Sequence, residues 1–157
     1  MYTTRRDALK AGGGMSIFVL LAAAGWLKPE LAGAEGWNKG AFDTKTLDEA
    51  LKALGGSPPV QSKDVTFFST PDIAENGAVV PIGIASTVPK TESIAILIEK
   101  NPNILAAVFD IPPGTEPSLS TRVKMGQTSN VYALVKADGK YYVASKEIKV
   151  TLGGCGG

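Results

Sequence analysis

A β-hairpin is written into residues 130–152: Asn130-Val131-Tyr132-Ala133-Leu134-Val135-Lys136-Ala137, the turn Asp138-Gly139, Lys140, then Tyr141-Tyr142-Val143-Ala144-Ser145-Lys146-Glu147-Ile148-Lys149-Val150-Thr151-Leu152. Branched and aromatic side chains favour a pleated backbone, where they pack against their neighbours. Asp-Gly accepts the positive φ angles of a type I′ turn, whose twist matches the strands it joins. In the second strand Glu147, Lys149 and Thr151 face one way and Ile148, Val150 and Leu152 the other. That is the alternation of a sheet with one solvated face. The strand therefore delivers residues 153–157 directly to the surface.

Upstream the same signal repeats. Val65–Ser69, Ala78–Ser86, Ser93–Glu99, Ile104–Ile111 and Leu119–Met125 read as strands, separated by turn clusters such as Glu75-Asn76-Gly77, Asn101-Pro102-Asn103 and Pro112-Pro113-Gly114. About seven short strands at this spacing predict an antiparallel β-sandwich, immunoglobulin-like in general shape. One helix precedes them. Asp43 is the expected cap of Thr44–Leu54, with Leu47, Ala50, Leu51 and Leu54 on one face and Gly55-Gly56 as the stop. Two strands break the alternation: Ile94-Ala95-Ile96-Leu97-Ile98 and Ile104-Leu105-Ala106-Ala107-Val108-Phe109 are apolar on both faces. Such runs need cover on both sides. The helix is expected to shield one of them and a second protein chain the rest.

The chain's one cysteine stands in Gly153-Gly154-Cys155-Gly156-Gly157. Glycines lack a Cβ and leave the backbone thin and conformationally free. From Leu152 to Cys155 an extended chain spans roughly 10 Å. A cysteine thiol titrates near pKa 8.5, so only a small fraction is thiolate at neutral pH. With no base beside it, Cys155 is unsuited to act as a catalyst alone and suits a covalent attachment point that other enzymes activate. Ordering such a segment costs about 1–2 kcal/mol per residue, which weakens each docking event of an arm that must leave again. Two other readings stand beside this one. Cys155 is then half of an intermolecular disulfide in an exported binding module, or the Gly156-Gly157 carboxylate carries sulfur as a thiocarboxylate, as in cytoplasmic diglycine carriers.

The first residues read as an export signal. Arg5-Arg6 precede a glycine-diluted apolar run from Ala11 to Leu27, and Ala32-Gly33-Ala34 forms a small-x-small cleavage site. A twin-arginine leader over 1–34, a sandwich domain over 35–152 and an arm over 153–157 are the expected divisions. The apolar run is short for a membrane anchor. Removing Arg5, Arg6, Lys10, Lys28, Asp7 and Glu30 from 16 basic and 15 acidic residues leaves 12 against 13. Such a balance offers nothing to nucleic acid or an anionic membrane. With no histidine and one cysteine, a Cys–His pair, a zinc site and a CxxCH haem attachment are excluded within the chain. Arg122 and Lys124 share a face with Ser120 and read as solvated. Trp37 has no evident role beyond packing.

Several motifs resemble one family: Glu99-Lys100-Asn101-Pro102, Ser120-Thr121-Arg122-Val123-Lys124-Met125, Thr128-Ser129, Val135-Lys136-Ala137-Asp138-Gly139-Lys140, and Lys146-Glu147-Ile148-Lys149-Val150-Thr151-Leu152 running into the glycine-flanked cysteine. Together with the leader they resemble SoxY, the sulfur-carrier subunit of the Sox thiosulfate-oxidation system. The resemblance implies a periplasmic heterodimer with SoxZ, in which Cys155 holds covalent sulfur intermediates. It also implies transient docking to SoxXA, which couples thiosulfate to the thiol, to SoxB, which releases sulfate, and to SoxCD where a sulfane dehydrogenase is present. Haems and metals belong to those enzymes, so no cofactor and no catalytic residue is expected here.

Overall fold

A computed structural model describes residues 38–151. Helix α1 (Lys39–Phe42) and helix α2 (Leu47–Ala53) come first. Nine strands follow: β1 (Val60–Gln61), β2 (Val65–Phe68), β3 (Ile73–Ala74), β4 (Val80–Ser86), β5 (Thr91–Ile98), β6 (Leu105–Asp110), β7 (Ser118–Val123), β8 (Ser129–Ala137) and β9 (Lys140–Val150). They form a larger sheet in the order β1-β9-β8-β5-β6, with β3 also paired to β9, and a smaller sheet β2-β4-β7. The sandwich is therefore as expected, and the seven long strands fall within two residues of their expected bounds. Its two additional strands, β1 and β3, are two residues long and run parallel to β9.

The hairpin turn has the expected geometry, with φ of 50° at Asp138 and 73° at Gly139. It fixes the antiparallel register from Ala137↔Lys140 to Ser129↔Ile148. Between the sheets, Val80, Ile82 and Ile84 of β4 meet Ile94, Ile96 and Ile98 of β5, Val131 and Val135 of β8, and Ile148 of β9. Each such side chain contributes about 1.5–3 kcal/mol on leaving water. The outer face of the larger sheet is also apolar at Ala95, Leu97, Leu134, Tyr141 and Val143, and there it packs against Ala41, Ala50 and Leu51 of the helices. The helices thus cover the second face of β5, all of whose residues from Ile94 to Ile98 are buried. Strand β6 is covered less well: Ala106 is exposed, and Ala107, Val108 and Phe109 are half-buried.

The helix start differs from expectation. Thr46, not Asp43, is the N-cap, and Asp43 closes α1 instead. Thr46 accepts from the Glu49 amide at 3.2 Å, while the Glu49 carboxylate accepts from the Thr46 amide at 3.3 Å. This reciprocal box satisfies two donors at once, which Asp43 with no glutamate three residues on could not match. Gly55-Gly56 ends the helix as expected. Gly55 has φ of 75°, its amide donates to the Lys52 carbonyl, and Gly56 donates to the Leu51 carbonyl, the paired bonds of a Schellman turn. A Cβ on Gly56 would lie 2.7 Å from the Tyr141 ring, so this glycine also admits the tyrosine beneath the helix.

Candidate functional site

Strand β9 joins the hairpin turn to the glycine-cysteine segment, and its last residues outrun β8, whose register with β9 ends at Ser129↔Ile148. Three amides past that point need other partners, since an unpaired backbone donor costs about as much as a lost hydrogen bond. All three have one. Lys149 donates to the Asp72 carbonyl at 2.9 Å, Thr151 donates to the Ala74 carbonyl at 3.1 Å, and between them Val150 donates to the Thr128 hydroxyl at 3.0 Å. Alternate amides of a strand point to opposite edges, so the strand is held on both sides, by β3 and by the loop before β8.

The holding loops are themselves fixed. Lys146 donates to the Thr70 carbonyl at 2.5 Å and pairs with the Asp72 carboxylate at 3.0 Å. Met125 donates to the Gly77 carbonyl at 2.7 Å. A Cβ at Gly77 would collide with the Met125 carbonyl and approach Val150 Cγ1 to 2.8 Å. Only glycine lets loop 72–77 pass this close beneath Val150. The segment from Thr151 onward therefore departs from a point set by two loops and a strand. Neither β3 nor the Thr128 bond was legible in the sequence beyond Thr128-Ser129 standing before a strand.

Arg5, Arg6, Ala34, Gly153, Gly154, Cys155, Gly156 and Gly157 lie outside the described residues, as does Trp37. Thr151 is exposed, as are Glu147 and Lys149 beside it, which agrees with delivery to the surface. Ser120 and Arg122 share the exposed face of β7, alternating with Leu119, Thr121 and the buried Val123, and Lys124 is exposed just beyond the strand. Among the described residues no three His, Cys, Asp or Glu side chains gather as a metal site would require, and no helix is long and apolar enough to cross a membrane.

The far end of β9 has different chemistry. Lys136 pairs with Glu92 at 3.2 Å. That bond holds the Glu92 carboxyl below its ordinary range and raises Lys136. Burial raises the Tyr141 phenol. A cavity of about 420 Å³ lies here too, lined by Ser86, Thr87, Thr91, Pro113 and Pro117 among others. Thr91 pairs with Ala137, next to the hairpin turn. From there to Val150 is the length of β9, roughly 34 Å at about 3.4 Å per residue. Four residues beyond Thr151 reach at most about 14 Å, so a group on Cys155 does not enter this cavity of its own chain.

A family model described as sulfur oxidation protein SoxY matches residues 50–155. The match takes in β1 through β9 and runs to the single cysteine. Among solved structures, the chain is similar to the sulfur carrier protein SoxY from Chlorobium limicola f thiosulfatophilum, with 39% identity and a TM-score of 0.62 over 68% of this chain and 97% of that one. A superoxide reductase (neelaredoxin) from Ignicoccus hospitalis aligns at 16% identity and a TM-score of 0.48, over 64% of this chain and 87% of that one, too distant to bear on fold or site. No curated protein sequence matches the chain.

Proposed function

The chain belongs to the SoxY family of sulfur carriers, and from that premise we propose that it works in the periplasm, holding the intermediates of thiosulfate oxidation on Cys155 and presenting them to successive enzymes. The observation that carries this reading is the extent of the family match, which continues through the clasped end of β9 to residue 155. As a carrier the protein performs no catalysis. SoxXA would form the cysteine-bound thiosulfonate, SoxB would release its sulfonate group as sulfate, and SoxCD, where present, would oxidise the sulfur that remains. The Arg5-Arg6 leader with its Ala34 cleavage site supports export by the twin-arginine route.

A heterodimer with SoxZ is part of the proposal. Its support is the β6 edge, where Ala106 to Phe109 present apolar side chains and a backbone edge that no described strand covers. Exposed apolar edges of this kind invite pairing.

Mass spectrometry of the protein from thiosulfate-grown cells tests the attachment. Sulfur-containing adducts are expected on the peptide holding Cys155, and a Cys155→Ser strain is expected to lose thiosulfate oxidation. An unmodified thiol with full oxidation in that strain refutes the carrier reading. An adduct on the Gly157 carboxylate, resistant to thiol alkylation, assigns the chemistry to a thiocarboxylate. Loss of covalent dimers alone, with oxidation intact, leaves only the structural disulfide.

A further inference from the structure

The loop that clasps β9 also carries apolar side chains into solvent. Among the described residues four large apolar side chains are more than a third exposed: Val60 (59%), Phe68 (38%), Ile73 (56%) and Val79 (49%). Ile73 and Val79 belong to the loop whose Asp72 and Ala74 carbonyls hold the end of β9. That loop cannot turn these side chains inward without releasing the strand. Ala74 and Gly77 are already buried against it, and Val80 fills the core.

The length of chain past Thr151 says what must touch them. Cys155 lies four residues on, so its backbone stays within about 14 Å of Thr151 however it extends. An enzyme acting on a group carried there must bring its reacting centre within that radius. The surface around its active-site opening then rests on whatever surrounds Thr151. Val60 lies outside that radius, because it pairs with Tyr142, nine residues back from Thr151 and roughly 31 Å away at about 3.4 Å per residue.

Given the carrier reading, we propose that the Asp72–Val79 loop is a docking collar for the enzymes that act on Cys155-bound sulfur. Ile73 and Val79 supply an apolar contact to the rim of a recessed active site. Two side chains bury little area, which suits a short-lived complex. The clasp beneath them keeps collar and arm origin in fixed register, so docking at the collar aims the sulfur at the opening.

The test uses the full mature chain with its partner subunit, loaded by tetrathionate. The Cys155 thiolate attacks an inner sulfur of tetrathionate, giving the cysteine-bound thiosulfonate and expelling thiosulfate. The added substrate is thus the oxidant. A purified sulfohydrolase from the same cell then adds water, breaking the bond between the sulfane sulfur and the sulfonate. Sulfate and two protons are released and a persulfide anion remains on the cysteine. Steady-state sulfate release is compared for the unsubstituted chain, for Ile73→Asp with Val79→Asp, and for Val60→Asp. The collar variant should raise KM tenfold or more with kcat unchanged, the pattern of lost ground-state and transition-state binding alike. Val60→Asp should match the unsubstituted chain. Ile73→Ala with Val79→Ala, which adds no charge, should give a smaller rise in the same direction.

Unchanged kcat/KM in both collar variants, or an equal loss in Val60→Asp, overturns the collar. So does a changed oligomeric state by light scattering with KM unaltered, since the loop then belongs to a subunit interface. Sulfate release from no chain, the unsubstituted one included, despite complete loading by mass, defeats the carrier reading itself and the collar with it.

Discussion

The two edges of the larger sheet are finished in opposite ways. Along β9, the two-residue strands β1 and β3 run parallel to it, and Thr128 takes the one amide near its end that they leave. Along the outer edge of β6 no described strand lies, and the side chains from Ala107 to Phe109 stay half-buried. A bulge where the pairing shifts between Ile96 and Leu97 blunts this edge and leaves Ala106 exposed. Of these two short strands, β3 lies at the end of β9 and β1 near its start. The bare edge is the one that, in our reading, a partner subunit covers.

Substitution on each side separates the closed edge from the open one, and the largest effect belongs to the closed one. Ile148 of β9 is fully buried in the core between the sheets. Ile148→Ala should cost about 2–5 kcal/mol. Val108 of β6 packs against the helix-side cluster but is half-exposed. Val108→Ala removes two partly buried carbons and should cost about 1 kcal/mol at most. Urea titration of each variant gives the comparison. Equal losses would mean that β6 is as fully packed as β9, and the case for a covering partner would go.

Gly77→Ala comes next, and it probes the clasp. The new methyl would meet the Met125 carbonyl, which is backbone and cannot swing aside, as well as Val150. Overpacking of this kind costs about 1–3 kcal/mol. The loss should be accompanied by faster amide exchange at Lys149 and Thr151, whose bonds to the same loop loosen with it. Exchange unchanged at those two amides would show that β3 does not depend on the Gly77 approach.

What the sequence made legible depends on how many residues share a signal. Strands β4 to β9 are long enough for alternation or a sustained apolar run to stand out, and Asp138-Gly139 marks its turn by chemistry alone. The glycine-flanked cysteine stands out by composition alone, and it lies outside the described residues. Strands β1 and β3 have two residues each, too few for any period, and their parallel pairing to β9 is decided by where loops 54–64 and 69–79 lie. Helix α1 holds Lys39-Gly40-Ala41-Phe42, which has neither length nor a strong propensity. At the helix start two capping residues compete, Asp43 and Thr46, and the reciprocal partner Glu49 decides between them. The clasp was invisible for a simpler reason. Two of its three acceptors are backbone carbonyls, which every residue has.

The smallest effect belongs to Tyr141, which ties the start of β9 to the helix. Its hydroxyl donates to the Leu54 carbonyl at 2.8 Å, and burial raises its pKa above the usual tyrosine value. Tyr141→Phe should cost about 0.5–1.5 kcal/mol at neutral pH, the worth of one such bond. The alkaline limb carries the sharper test. As pH rises through the ordinary tyrosine pKa, the unfolded phenol loses its proton first while the folded one keeps it, so folded protein loses stability until its own raised pKa is passed. Lys136, whose folded pKa is raised mainly by Glu92 and to a lesser extent by Tyr141 itself, loses its contribution over the same alkaline direction, and loses less of it in the chain without the phenol. The Tyr141→Phe chain should therefore begin less stable and decline less steeply above about pH 10, so that the two stability curves converge. Parallel curves would show that the phenol ionises as readily folded as unfolded, and that the helix does not seal this end of β9 from water.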